Sequence, residues 1–337
     1  MNGFPDFPEL EPLLADPIVT DIHIKPYAIY VRKNGQLEQT SVPTGDLPER
    51  LKNRYGTDWA LSTGGLRIRG RVENAEGGSF LAIRILPRKI PTFPGLGLPG
   101  LFERIAGFSE GLVVICGTTG NGKTSTAGAI LQQVNESRCT HIVTVEDPVE
   151  ILHPPLKSAV SQIPVAPGPK GYVEAIKGIK RDDTNIVLIG ETRDPEALAA
   201  ALELSESGVL VLTTLHAANV SQAVRRMTSM LKSEPAAADR IADTTRLIVA
   251  QKLLPGLSGD RALALEYVFL DLATAQLIRE EKIHQIYGHI RAREQERKPE
   301  YVTFTGSFGK LLADKKISRD TVEAKASNPK EVFEGGR

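Results

Sequence analysis

From residue 111 onward, short uninterrupted apolar runs alternate with stretches of helical period: LVVIC at 112–116, a helix over 123–136, HIVTVE, a helix over 172–180, NIVLIG and then VLVLTT. Strands apolar at every position are buried on both faces, so this rhythm predicts a largely parallel sheet covered by helices. Before residue 86 the pattern changes to apolar runs at 22–24, 27–31 and 80–85, separated by turn signals at Asn34-Gly35, Gly64-Gly65 and Gly77-Gly78. A small α+β domain over residues 1–88 fits that pattern. Between the two regions lies LPRKIPTFPGLGLPG, whose repeated Pro and Gly interrupt helix and strand alike. It predicts a domain boundary, with a hinge linker over 89–100 and the main α/β core over 101–270. The remainder, 271–337, has helical patterns at 273–291 and 308–314 and ends in a polar stretch expected to fray.

The length of 337 residues agrees with two domains at about 150 residues each. Hydrophobic residues at 41% and charged residues at 24% exclude wholesale disorder and fibrous repeats. Lys plus Arg and Asp plus Glu balance at 41 each, which leaves no overall field for a phosphate backbone or an anionic bilayer. No sequence-specific nucleic-acid binding is expected, and at most a peripheral membrane association. The apolar runs fall far short of the ~20 residues of a membrane-spanning helix, and MNGFPDFPEL lacks the basic flank and apolar core of an export signal. With two cysteines, Cys116 and Cys139, a reducing cytoplasm is the expected compartment, and Cys116 reads as a small core residue within its apolar run.

The first chemical signal is Gly117-Thr118-Thr119-Gly120-Asn121-Gly122-Lys123-Thr124, which satisfies GxxxxGK[ST] between an expected strand and an expected helix. In such a loop the glycines turn backbone N–H groups toward phosphate oxygens. Lys123 supplies a positive charge for the β and γ groups, Thr124 offers an oxygen to Mg2+, and Ser125 completes the cradle. ATP and Mg2+ are therefore the expected ligands. A switch, a small-molecule kinase and a motor all carry such a loop.

Further acids stand at strand ends. NIVLIG runs into Glu191, at the edge where α/β proteins bind ligands, so Glu191 is expected to organise Mg2+ directly or through water. Glu146 and Glu150 follow HIVTV, and either is positioned to orient or deprotonate an attacking water. His216 follows VLVLTT and is expected on the same edge, to sense the γ-phosphate or a neighbouring subunit.

Taken together, GTTGNGKT, VEDPVEILH, NIVLIGETRD and TTLHAAN resemble, in order, the motifs of the ATPases that drive type IV pili, type II secretion and type IV secretion. The likeness runs from about residue 86 to about residue 287 and is greatest to the PilT-type retraction ATPases and the DotB-type ATPases of type IVB secretion or conjugation. SAVSQ, RLIVAQKL and QLIREEKIHQIY add to it. The resemblance implies a RecA-like P-loop core, a PAS-like amino-terminal domain and a helical carboxyl-terminal tail. It assigns Lys123 and Thr124 to Walker A, Glu146 and Glu150 to the Asp box, Glu191 to an atypical Walker B and His216 to the His box. It further implies a homohexamer in which an arginine of one subunit's amino-terminal domain, among Arg69, Arg71 and Arg84, approaches the next subunit's nucleotide. The implied partners are inner-membrane and cytoplasmic components of a secretion or pilus machine.

Two departures narrow the branch. No cysteine follows Cys139, so the four-cysteine metal module of the assembly branch is not expected. Where many relatives have an arginine-rich stretch, this chain reads IKGIKRDDTN, with Lys177 and Lys180 near Arg181. Lysine does not reproduce the bidentate arginine fork. A hexameric ATPase motor is the expected function, and a nucleotide-dependent scaffold with little hydrolysis is the rival reading. A small-molecule kinase and a DNA translocase rank below both.

Overall fold

The computed structural model describes residues 7–33, 36–63, 66–76, 78–86, 90–165 and 169–334. The chain divides into two compact units, Met1–Lys89 and Ile90–Arg337.

In the first unit, β1 (Val19–Ile24), β2 (Ile29–Lys33), β3 (Gln36–Gln39), β4 (Asp58–Thr63), β5 (Leu66–Ala75) and β6 (Gly78–Ile85) form an antiparallel sheet of order β3-β2-β1-β6-β5-β4. Asn34-Gly35 and Gly64-Gly65, expected as turns, lie outside the described residues, as does Gly77. Alternation along the strands sends Ile22, Ile24, Ile68, Val72, Leu81 and Ile83 into a core with Leu47 and Leu51 of the helix Leu47–Tyr55. The intervening positions form the other face, where Asp21 stands opposite Arg84 and Arg84 opposite Arg69. Gly70 faces Trp59 across β5 and β4, and the indole covers the space that a Cβ at position 70 would need.

The second unit holds β7 (Gly111–Cys116), β8 (His141–Glu146), β9 (Ala159–Pro164), β10 (Ile186–Ile189), β11 (Leu210–Leu215), β12 (Thr245–Pro255), β13 (Arg261–Phe269) and β14 (Tyr301–Val302). Their order in the sheet is β14-β13-β12-β7-β11-β10-β8-β9. Strands β7 to β12 run parallel, as the apolar rhythm predicts, whereas β13 and β14 join antiparallel at one edge. The sheet splits its side chains between two apolar layers: Leu112, Val114 and Cys116 enter one, Val113 and Ile115 the other. Helices Pro169–Ile179, Pro195–Glu206 and Val220–Met230 cover the first face, and Lys123–Ser137 covers the second. Because β11 inserts between β7 and β10, the strand ends bearing the phosphate loop and Glu191 flank a third. This is the doubly covered P-loop architecture.

Two stretches of turn-prone or polar composition are packed. The Pro/Gly stretch is packed from Thr92 onward: Thr92 caps the short helix Phe93–Leu96 by accepting from the Gly95 N–H at 3.3 Å, and Phe93 and Leu98 join the second apolar layer. The polar end of the chain does not simply trail away. Helices Phe304–Ala313, Arg319–Lys325 and Pro329–Glu334 bury Phe308, Leu311, Val322 and Val332 against Leu254, Ala262 and Ala264 of the β12–β13 hairpin. Sparse apolar positions suffice there because all of them turn to one small cluster. No helix among the described residues is long and apolar enough to cross a membrane.

Candidate active site

Four parallel strands end at one edge of the sheet. Their registers align Leu215 with Cys116, Ile189 with Thr213 and Ile189 with Val145, so residues 117, 146, 191 and 216 emerge together.

Residues 117–124 turn sharply from β7 into the helix Lys123–Ser137, and Gly120 (φ 81°) and Gly122 (φ 80°) occupy left-handed conformations that other residues resist. Asn121 pins the turn at both sides: its Nδ2 donates to Thr118 Oγ1 at 2.7 Å, and its Oδ1 accepts from the Leu253 N–H at 3.0 Å. Gln251 on β12 adds a bond from Nε2 to the Asn121 carbonyl. A Cβ at position 117 would stand 2.8 Å from the Gln251 carbonyl oxygen, so the approach of β12 itself requires glycine there. The Lys123 ammonium donates to the Gly117 and Thr118 carbonyls at 2.9 and 3.3 Å. Burial pulls its pKa below the usual lysine value, while the charges of Glu191 and Glu150 act in the opposite sense.

Two side chains flank the Glu191 carboxylate. Its Oε2 lies 2.6 Å from the Arg193 guanidinium, and its Oε1 lies 2.6 Å from Nε2 of His216. The imidazole approaches off the hydrogen-bonding direction, so Oε1 is a buried carboxylate oxygen without a satisfied donor. Burial, then the Lys123 charge, lower the His216 pKa, and Glu191 opposes them. Glu146 is 6% exposed and burial raises its pKa; Oε2 accepts from the Glu150 N–H at 3.4 Å, and Oε1 from Gln162 Nε2 at 3.5 Å. Glu146 thus braces the turn, and the half-buried Glu150 carries the charge felt by Lys123. Thr124 and Ser125 are half-buried at the start of the helix. Hard oxygen donors at Thr124 and an orphaned oxygen at Glu191 fit a Mg2+ ion that keeps most of its ligands as water and phosphate.

Arg69, Arg71 and Arg84 lie in the first unit, and each has a carboxylate partner: Asp58 at 3.3 Å, Glu73 at 2.7 Å and Asp21 at 2.9 Å, respectively. Lys180 pairs with Glu203. Cys116 closes β7 with a buried thiol whose pKa burial pushes up, consistent with a packing role. Sequence reasoning missed Arg193 and Gln251 as site residues. Gln251 had a signal, a lone amide within the apolar run of RLIVAQKL; Arg193 had none beyond its place two residues after Glu191.

A parallel sheet carrying a phosphate loop, with acids at neighbouring strand ends, defines a P-loop nucleoside triphosphatase. Residues 99–298 match the family described as "Type II/IV secretion system protein", and the chain belongs to that family, as an ATPase. The type IV pilus retraction ATPase PilT of Pseudomonas aeruginosa is 32% identical over 285 residues, covering 81% of this chain and 79% of the relative. The uncharacterised protein YggR of Escherichia coli is 29% identical over 293 residues, covering 82% of this chain and 90% of its own length. The solved structure of the pilus retraction motor PilT with bound ADP superposes with a TM-score of 0.84 at 26% identity, over 97% of this chain and 98% of that one. The ATPase DotB of Legionella pneumophila shares the fold, with a TM-score of 0.76 at 22% identity over 96% of this chain and 93% of DotB.

Proposed function

We propose that the chain is a homohexameric, Mg2+-dependent ATPase motor at the cytoplasmic face of the inner membrane. Through the membrane and cytoplasmic components of its machine, it drives type IV pilus retraction or type IV secretion. The observation that carries this reading is the convergence of Lys123, Glu191 and His216 beside a loop of phosphate-binding form. Similarity over nearly the whole length to a pilus retraction motor solved with ADP supports it.

The triphosphate lies against the N–H groups of residues 117–124 and the amino end of the following helix. Lys123 exchanges the Gly117 and Thr118 carbonyls for β- and γ-phosphate oxygens. Thr124 and Glu191 would hold Mg2+, the latter directly or through water, and the ion would supply positive charge to the phosphates. Glu150, braced by Glu146, orients the water whose oxygen bonds to the γ-phosphorus as the bond to the bridging oxygen breaks. His216, poised against Glu191, reads the γ-phosphate. Arg69, Arg71 or Arg84 of a neighbouring subunit meets the transferring group; leaving a surface carboxylate for it costs about 0–1 kcal/mol. ATP thereby holds contacts that ADP does not, and that difference is available for work.

Steady-state turnover of Lys123→Ala and Glu191→Ala, with sedimentation velocity under saturating Mg-ATP, tests the proposal. Turnover is expected to fall by roughly 100-fold or more in each variant, with the wild type sedimenting as a hexamer. Variants near the wild-type rate, or a wild type that stays monomeric, would refute it.

A further inference from the structure

Glu266 sits on β13 with 3% of its surface exposed, in a strand whose neighbours are apolar. It stands directly opposite Ala250, one residue before the Gln251 that pins the phosphate loop. Its Oε1 accepts from the Val220 N–H at 2.9 Å, and the Phe304 N–H faces the same carboxylate. Both donors occupy the first position of a helix: Val220 after the cap Asn219, Phe304 after the cap Thr303. First-turn N–H groups lack partners within their own helix, and a buried anion there satisfies them and the positive helix ends together. The half-buried ammonium of Lys252, resting over the Phe304 ring, is the nearby counter-charge.

The Val220 helix begins four residues after His216, and little slack separates them. The Asn219 side chain accepts from the Gln222 N–H at 2.8 Å, and Gln222 returns a bond from the Ala218 N–H at 3.2 Å. The Cys116 thiol reaches the Asn219 carbonyl at 3.9 Å. The rigid turn 217–219 therefore carries to His216 whatever position Glu266 imposes on Val220.

We propose that Glu266 is a positioning residue for ATP turnover: by clamping the amino ends of the helix that follows His216 and of the helix Phe304–Ala313, it fixes His216 beside Glu191 and ties that contact to the carboxyl-terminal helices. The proposal rests on the ATPase reading above. A carboxylate suits two converging N–H donors, whereas the amide of Glu266→Gln presents one acceptor and one donor to them. The phosphate loop has its own supports at Asn121 and Gln251, so nucleotide binding is expected to be spared.

The test is steady-state kinetics of Glu266→Gln, His216→Ala and the double variant, with Lys123→Ala as control. Glu266→Gln is expected to lower kcat about tenfold, the rate equivalent of one charge-assisted hydrogen bond, with KM for ATP within about twofold of wild type. The double variant is expected to be no slower than His216→Ala alone, because both changes act through one contact. Val220→Pro removes the same bond from the other side. Proline is tolerated at the first helical position, and Asn219 already has the extended backbone (φ −156°, ψ 172°) that a following proline requires. It is expected to reproduce the loss of kcat, and it serves alone if Glu266→Gln fails to fold. Multiplicative effects in the double variant, an unaltered kcat, or a loss confined to KM would overturn the proposal. A silent Lys123→Ala would instead overturn the ATPase reading itself.

Discussion

His216 Nε2 and Glu191 Oε1 lie 2.6 Å apart although the two residues leave the sheet from different strands, β11 and β10. Burial and the Lys123 charge hold the imidazole neutral to lower pH than its ordinary value of 6.5, against the pull of Glu191. Turnover is therefore expected to persist as pH falls through 6.5 and to decline only below it, as an imidazolium forms at the site. Profiles of kcat against pH for wild type and His216→Asn test this. The variant should be slower and lack that acid limb; a limb of equal position in both proteins would assign the titration elsewhere.

His153 gives a separate acid-stability prediction. Its ring is buried, with Nδ1 3.2 Å from Gln132 Oε1, and burial depresses its pKa from 6.5 to about 4. The folded state thus excludes a proton that the unfolded chain accepts. The stabilisation is complete above pH 6.5 and is lost as pH falls toward 4. The effect amounts to roughly 3 kcal/mol at most. Denaturant titrations at pH 7.5 and 4.5 should show a smaller loss in His153→Gln than in wild type, and equal losses would contradict it.

Gly70→Ala is expected to destabilise the amino-terminal unit by about 1–3 kcal/mol, because a Cβ there overlaps the Trp59 indole. Trp59 is the only tryptophan of the chain and is 7% exposed, so it reports its own displacement. A red-shifted emission and an earlier unfolding transition are the expected readings; an unshifted spectrum with unchanged stability would show that the strands part to admit the methyl group.

The two cysteines should separate cleanly. Cys139 is exposed, whereas Cys116 is buried with its thiol pKa pushed up. One thiol is expected to react with a disulfide reagent in the native protein and two in denaturant. Rapid modification of both under native conditions would place Cys116 outside the core.

The legible part of this protein was its local chemistry. The phosphate loop, the apolar strands at 112–116, 141–146 and 186–189, and the acids that end them are each written within a few consecutive residues, where periodicity and Gly placement act. Strand β9 escaped notice because AVSQIP alternates half-buried and exposed positions at a sheet edge and has no continuous apolar run. The antiparallel β13 and the packed tail also went unread, since Val322 and Val332 acquire their meaning only against Leu254 and Ala264, far away in sequence. Gln251 meets its partner, the Asn121 carbonyl, only through the pairing of β12 with β7, whereas Arg193 pairs with Glu191 just two residues before it.

The insertion of β11 between β7 and β10 bears on how the protein is made. The Gly117–Thr124 turn and Glu191 are both synthesised before residues 210–215, yet neither of their strands borders the other in the finished sheet. A chain arrested before that point carries both halves of the nucleotide pocket without the wedge that sets their separation. Competence to grip a triphosphate therefore waits for residues 210–215, the segment that leads into His216 as it closes the gap.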